Sequence, residues 1–180
     1  MSTALAPLDF CSLWDTAISF NQFVDEATTA QELWRGVYRQ ARVPDWARRE
    51  AAALAPLQLL VLAEDWCNDA VSTIPVLARL ADAVPGVDLR ILRRDEHPAV
   101  MDEYLSDGAR AIPIVIALDT ECGELGHWGS RPSALEAWVQ AHRELPKPDR
   151  NREIRRWYAR DQGNSTLREV LATAAGEGSL

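Results

Sequence analysis

Cysteine is scarce in this sequence: Cys11, Cys67 and Cys122 are the only three among 180 residues. No two of them have the C-x-x-C spacing of a dithiol pair, and no group of cysteines and histidines has the spacing of zinc ligands. An odd number of cysteines argues against a framework of disulfides and favours a reducing compartment. We therefore expect no metal site, no bound cofactor and a cytoplasmic protein.

Long apolar runs and an excess of basic charge are also missing. No stretch is long and apolar enough to cross a bilayer, and the opening "MSTALAPLDFCSLWD" has neither the basic region nor the apolar core of a signal peptide. The net charge of -8 argues against a surface for nucleic acid or anionic membrane. A hydrophobic content of 47% fits one globular domain with a sizeable core.

The chain divides into a central segment with alternating strands and helices and two helical flanks. Residues 1–56 form a predicted N-terminal helical extension, with helical spacing of apolar residues from Leu13 to Phe23 and an N-cap at Thr28 or Thr29 for the next helix. Residues 146–180 form a predicted C-terminal extension of two helices. We expect both extensions to pack on the core, residues 57–145, as one domain.

Within the core, apolar runs and turn residues predict the order β-α-β-α-β-β-α. "LQLLVLAED" is typical of a strand buried on both faces, and a helix follows it from about Asn68 to Ala83. The first two strands form a parallel pair, and the last two form a hairpin. Ser130 is the predicted N-cap of the last helix. The fold class is therefore α/β, with a mixed four-stranded sheet flanked by helices.

Cys67 lies where the first buried strand ends and a helix begins. Unpaired N–H groups and the positive end of the helix dipole stabilise a thiolate, so this position favours a reactive cysteine. Trp66, directly before it, offers a flat apolar surface to a substrate. The position three residues later, where a dithiol site has its second cysteine, is Ala70.

Other motifs stand at fixed distances from Cys67 and together resemble the thioredoxin family. "WCNDA" occupies the place of W-C-x-x-C, Pro75 the place of the proline in the first core helix, Ile112-Pro113 that of the cis-proline step, and Gly129 that of the glycine before the last helix. The resemblance covers about residues 57–143. More narrowly, "EDWCNDA" and "WGSRP" resemble a bacterial subgroup with a monothiol W-C-x-D-A motif.

The resemblance implies a thioredoxin-like fold and a role for each matched residue. Cys67 is the expected catalytic thiol, and the Ile112–Pro113 peptide bond is expected to be cis. Arg131 is expected either to act at the thiol, by lowering the pKa of Cys67 or by binding a carboxylate of glutathione or bacillithiol, or to face solvent. Asp69 is expected to cap the helix near the thiol, with proton transfer as the alternative role. The substrate-binding residues are then Trp66, Ile112, Pro113, Gly129 and Arg131.

Two departures from the family pattern affect the expected chemistry. Ala70 replaces the second cysteine, and Val61 stands where the family has a buried acid. Strands rise about 3.3 Å per residue, so Cys122 should lie roughly 20 Å or more from Cys67, whereas a disulfide needs Cα atoms within about 7 Å. Cys11 cannot be placed from the sequence and remains a possible resolving thiol.

Three functions are compatible with these residues. The first is a monothiol disulfide oxidoreductase, which acts on protein or small-molecule disulfides. A low-molecular-weight thiol would resolve the mixed disulfide that forms on its cysteine. This function predicts a lowered pKa for Cys67. The second is a non-catalytic thioredoxin-fold module that binds extended peptides. The third is a cluster-binding or peroxide-reactive monothiol. The flanking helices are compatible with a homodimer.

Overall fold

A five-stranded mixed sheet forms the centre of the molecule in the computed structural model, which describes residues 7–177. The strands are β1 (Ile18–Ser19), β2 (Leu57–Ala63), β3 (Val87–Arg93), β4 (Ile114–Leu118) and β5 (Glu124–Gly129). The helices are α1 (Phe10–Thr16), α2 (Phe20–Asp25), α3 (Gln31–Gln40), α4 (Asp45–Leu54), α5 (Asn68–Ala83), α6 (Pro98–Asp102), α7 (Ser133–Ala141), α8 (Lys147–Asp161) and α9 (Asn164–Ala174).

The strands lie side by side in the order β1-β3-β2-β4-β5. β2 is parallel to β3 and antiparallel to β4, and β4 is antiparallel to β5. Every residue of β4 is buried, and so is every residue of β2 except Gln58, because helices cover the middle of the sheet. The predicted α/β fold of the thioredoxin type is confirmed, with the four core strands in their expected order.

The fifth strand, β1, corrects the prediction for the N-terminal region. The continuous helix expected from Leu13 to Phe23 is interrupted, because Ile18 pairs with Ile91 and Ser19 with Arg90 of β3. Ser19 then caps α2 by accepting a hydrogen bond from the Gln22 N–H. Helical spacing alone could not show this, since the interruption depends on the exposed edge of a strand about 70 residues later.

A disulfide joins Cys11 of α1 to Cys122 in the turn between β4 and β5, with a Cα–Cα distance of 5.3 Å. The expectation that the cysteines form no disulfide is therefore wrong. The pair is 111 residues apart in the chain, and only the packing of α1 beside the sheet brings the two residues together. No helix within residues 7–177 is long and apolar enough to span a membrane.

Two predicted helix caps are also wrong. α7 begins at Ser133 with Pro132 at the cap position, two residues after the predicted cap Ser130. Ser130 instead follows a cis peptide bond with Gly129. α3 begins after Ala30, a left-handed residue, and Thr28 and Thr29 do not cap it. Their backbone N–H groups donate to the Asp65 carboxylate, which connects this loop to the segment before Cys67.

Candidate functional site

Cys67 follows the end of β2 and is the N-cap of α5. Its Sγ accepts a hydrogen bond from the Ala70 N–H at 3.5 Å and donates its own proton to the Ile112 carbonyl at 3.4 Å. The residue is 9% exposed and is the free cysteine of the described chain. The thiol is therefore fixed between a helix start and the loop before β4.

Burial raises the pKa of the Cys67 thiol above its ordinary value. The Ala70 N–H lowers the pKa, the Asp69 carboxylate raises it, and Arg131 lowers it by less than burial raises it. The lowered pKa predicted from the helix dipole is therefore wrong for the free protein. The position of Cys67 at a helix start can be inferred from the sequence. The burial of its thiol, which raises the pKa, cannot be inferred, because it depends on the packing of the folded chain.

The loop before β4 contains the proline of the site. The Ile112–Pro113 peptide bond is cis, as the resemblance implied. Within residues 7–177, the Ile112 N–H donates to no partner, while its carbonyl accepts the Cys67 thiol. Among the described residues the Ile112 N–H is thus an unpaired main-chain donor in the loop beside the sulfur.

Gly129 at the end of β5 lies against this proline. Its φ is +153°, and a Cβ there would lie 2.3 Å from the Pro113 carbonyl oxygen. No side chain fits at that distance, so a glycine is required at this position. The structure therefore brings Cys67, Ile112, Pro113 and Gly129 together at one end of the sheet.

Trp66 is the exposed aromatic residue of the site, with 48% of its surface accessible. The Arg94 guanidinium lies over its ring, 4.9 Å from the ring centroid. This cation–π contact holds the indole on the surface next to Cys67. The result is an apolar platform beside the thiol, where the sequence placed it.

Asp69 is buried beside the thiol and does not cap the helix, so its predicted role is corrected. Its carboxylate accepts hydrogen bonds from Arg131 Nε at 2.9 Å and from the Tyr158 hydroxyl at 2.8 Å. Cys67 itself is the cap. Asp69 is 8% exposed, and a buried charge is costly unless it is paired. Arg131 and Tyr158, which lie outside α5, supply the partners.

Arg131 is held within the chain on two sides. Beside Asp69, its second partner is Glu136, whose carboxylate accepts a hydrogen bond from Nη1 at 2.9 Å. The two carboxylates raise the pKa of Arg131 even though burial opposes them. Arg131 is therefore half-buried, and its side-chain hydrogen bonds in the described structure go to carboxylates of the protein.

The turn before Cys67 is fixed by buried carboxylates. Glu64 accepts the Asp95 N–H at 2.9 Å, and its burial raises its pKa. The Asp65 carbonyl accepts the indole N–H of Trp34, a fully buried residue of α3. Both acids belong to the scaffold of the turn, so the N-terminal helices hold the active-site segment in place.

The C-terminal helices supply contacts that the sequence did not reveal. Tyr158 of α8 reaches Asp69 across 89 positions, and burial together with the Asp69 charge raises the pKa of its hydroxyl. Glu169 of α9 accepts hydrogen bonds from the Trp128 indole and from the N–H and hydroxyl of Ser133. Nothing in the sequence marked Tyr158 as part of the site, because its partner Asp69 lies 89 positions earlier in the chain.

No second thiol is available to Cys67 within residues 7–177. Cys122, excluded as a resolving cysteine by its position, lies in the turn beyond the far end of β4 and is bonded to Cys11. Cys11, which the sequence left open, is excluded by the same bond. Val61, at the position of the family's buried acid, lies between Ile91 and Val115 in the sheet. In the described part of the chain no cluster of three or more potential metal ligands occurs.

Comparison with solved structures gives the same fold. A protein of unknown function, PA1234 from Pseudomonas aeruginosa, superposes with a TM-score of 0.75 at 24% identity, over 96% of this chain and 100% of that one. An HIV 4E10 epitope-scaffold superposes with a TM-score of 0.73 at 22% identity, over 95% of this chain and 100% of that one. Among curated proteins there is no significant match.

A family model described as thioredoxin matches residues 17–144. The match begins before β1 and ends after α7, so it includes the Trp66-Cys67 turn, the cis-proline loop and Gly129. It extends over more than half of the 180 residues. The chain therefore belongs to the thioredoxin family.

Proposed function

We propose that the protein is a thiol–disulfide exchange protein that acts through Cys67 alone, in the manner of the monothiol W-C-x-D-A subgroup. The observation that carries the proposal is the position of Cys67. A free thiol lies at a helix start beside a cis-proline, and the N–H of the preceding Ile112 is unpaired among the described residues. Trp66 adds an exposed apolar surface for a substrate.

The exchange proceeds in two steps. The Cys67 thiolate attacks one sulfur of a disulfide, an S–S bond forms between Cys67 and that sulfur, and the other sulfur leaves as a thiolate that takes up a proton. Glutathione or bacillithiol, as an external thiol, then loses its proton and attacks the substrate sulfur of the mixed disulfide. An S–S bond forms between the external thiol and the substrate sulfur, and Cys67 leaves as a thiolate. The electrons for reduction come from this external thiol, because both other cysteines are already joined to each other.

Substrate binding has a direct link to thiol ionisation in this scheme. In the free protein the Ile112 carbonyl accepts the thiol proton, which stabilises the neutral form. An extended segment that pairs with Ile112 replaces the thiol at this carbonyl. The neutral thiol then loses its acceptor, while the Ala70 N–H still donates to the sulfur and stabilises the thiolate.

The pH dependence of alkylation tests the state of the thiol. Iodoacetamide reacts with the thiolate, and the pKa of Cys67 is raised, so at pH 7 the protein should react more slowly than free cysteine. The rate should rise about tenfold per pH unit and should level off only above about pH 8.5, the pKa of an ordinary cysteine. A plateau below pH 8 would contradict the raised pKa.

Capture of the mixed disulfide tests the function. Incubation with a peptide disulfide should add one peptide thiol to Cys67, visible in the intact mass, and glutathione should remove it with turnover. Cys67→Ser should abolish both. If Cys67 alkylates at pH 10 but no peptide disulfide ever reacts with it, the exchange function is excluded.

A second candidate is a non-catalytic module that binds extended peptides, and the burial and raised pKa of Cys67 favour it. In this case Trp66, Ile112 and Pro113 form the binding groove, and the sulfur is a packing group. Peptide affinity should then be the same in the native protein and in Cys67→Ser. The second candidate also predicts no turnover in either protein. Turnover that the native protein shows and Cys67→Ser lacks, at equal peptide affinity, favours the first candidate.

Location and assembly remain predictions. We propose that exchange takes place in the cytoplasm, although the Cys11–Cys122 disulfide removes the odd cysteine count as an argument for that compartment. The proposed partners are a protein or small-molecule disulfide and the external thiol, without nucleic acid or membrane. A homodimer through the flanking helices is compatible with the sequence.

A further inference from the structure

A cavity of about 630 Å³ lies between α3, the first half of α5 and the C-terminal half of α8. This volume is within the range of about 300–1,000 Å³ that is typical of sites for small organic ligands. Asn68 lines it, but neither Trp66 nor Pro113 does, so the cavity lies beside their groove and is not part of it. The cavity is therefore a second candidate site of the molecule.

Apolar side chains line the walls of this cavity. Leu33 and Val37 project from α3, and Val71 and Val76 project from α5. Leu33 is 50% exposed, although it is a large apolar residue on a helix whose Trp34 is fully buried. A ligand that occupies the cavity would cover Leu33, which favours an apolar body for the ligand.

The charged residues of the cavity are both positive. Arg42, just after α3, and Arg155 of α8 line it, and neither forms an ion pair with a residue in the range 7–177. In that same range no carboxylate lines the cavity. The chain has a net charge of -8, so two arginines at a cavity without a carboxylate in its described lining make a local positive site in an acidic protein.

We infer that this cavity binds a small organic anion, with an apolar body between Leu33, Val37 and Val71 and a carboxylate or sulfonate between Arg42 and Arg155. Guanidinium groups bind such heads through two parallel hydrogen bonds. Gln40 and Gln162, which also line the cavity, supply further donors for the head group. The site takes no part in the exchange at Cys67.

A fluorescent anion tests the inference. The probe is 8-anilinonaphthalene-1-sulfonate, which has an aromatic body and one sulfonate, added to the full-length protein at low salt. We expect saturable binding with one site, displaced by decanoate. Decanol, which has the same chain without charge, should displace the probe at least about tenfold less effectively, the effect of a charge-assisted hydrogen bond.

Matched variants distinguish binding at the two cavity arginines from a general attraction of the anion to positive charge. R42Q combined with R155Q should weaken probe binding at least about tenfold. R39Q combined with R160Q removes the same charge from the same two regions, at exposed arginines that do not line the cavity, and should change binding by less than about twofold. Ala159→Trp, which fills part of the cavity from α8, should weaken binding without any change of charge.

Circular dichroism checks that each variant is folded, since the probe also binds molten states. Equal binding to the native protein and to the R42Q/R155Q protein would overturn the inference. So would binding that survives Ala159→Trp but is lost in Trp66→Ala, because the probe would then occupy the groove at the thiol.

Discussion

The two ends of the central sheet place cysteine in opposite chemical states. At one end Cys67 is a free, buried thiol at the start of α5, held by Ala70 and Ile112. At the other end Cys122 is in a turn and is bonded to Cys11 of α1. The first end is suited to a reversible reaction, and the second to fixing the N-terminal helix. Motif spacing identified Cys67 as the thiol of the site, but no spacing in the sequence showed that Cys122 is bonded to Cys11, because the two are 111 residues apart.

Removal of the disulfide should give the largest effect on stability. Cys11→Ser combined with Cys122→Ser opens a loop closed across 111 residues, and we expect a loss of about 2–5 kcal/mol in the free energy of unfolding. Urea unfolding measures this loss. The alkylation rate of Cys67 should be unchanged, which would show that the two ends are independent.

A loss smaller than about 1 kcal/mol in that double variant would contradict a structural role for the disulfide. A change in the Cys67 rate by more than about threefold would instead couple the two ends of the sheet, and the comparison would fail. Cys67→Ser, in which the disulfide is intact, is the control for a simple loss of cysteine.

Tyr158→Phe should have an intermediate effect and acts at the thiol end. The variant leaves the buried Asp69 carboxylate with Arg131 as its remaining side-chain partner, and we expect a cost of about 1–3 kcal/mol. Tyr38→Phe is the matched control. Its hydroxyl bonds the more accessible Asp82, so the same chemical change there should cost less than about 1 kcal/mol.

Urea unfolding of the two tyrosine variants gives the comparison directly. Equal costs would mean that the burial of Asp69 does not matter to stability. That result would remove the C-terminal helix α8 from the support of the site.

The contact of Arg94 with Trp66 should give the smallest effect. A double-mutant cycle of Arg94→Ala and Trp66→Ala isolates it from the other bonds of Arg94, and we expect a coupling of about 0.5–1 kcal/mol because the Trp66 ring is exposed to solvent. Unfolding in urea supplies the four free energies. A coupling of zero would mean that Trp66 is free to move, and that the platform beside Cys67 forms only with substrate.

Local patterns predicted the core of the fold, and distant contacts account for most of the errors. The apolar run of β2, the helix after Cys67 and the cis-proline step at Pro113 were all legible in short segments. The strand β1 and the Cys11–Cys122 bond were missed, because each depends on partners many residues away. A buried surface, like the one that raises the pKa of Cys67, is likewise a property of the packed chain.

The same limit applied to the candidate site. Three of the residues matched by the resemblance, Cys67, Ile112 and Gly129, lie around Pro113 in the structure, and the order of the motifs was enough to find them. The polar support of Asp69 was assigned to the helix backbone, whereas Arg131 and Tyr158 provide it. A carboxylate beside a helix start can accept hydrogen bonds from the helix backbone or from distant side chains. Which of the two it does depends on how far it is buried, and burial is a property of the folded chain.

The carboxylate of Glu169 has a consequence for any attempt to shorten the protein. It accepts hydrogen bonds from the N–H of Ser133, the first residue of α7, and from the Trp128 indole, although Glu169 is 36 residues after Ser133 in the chain. A chain cut after residue 145 would leave that N–H and that indole without their acceptor, next to the strand end that presents Gly129 to Pro113. Helix α9 thus supports the strand end beside the thiol site, and a shortened protein that keeps these hydrogen bonds must extend through α9.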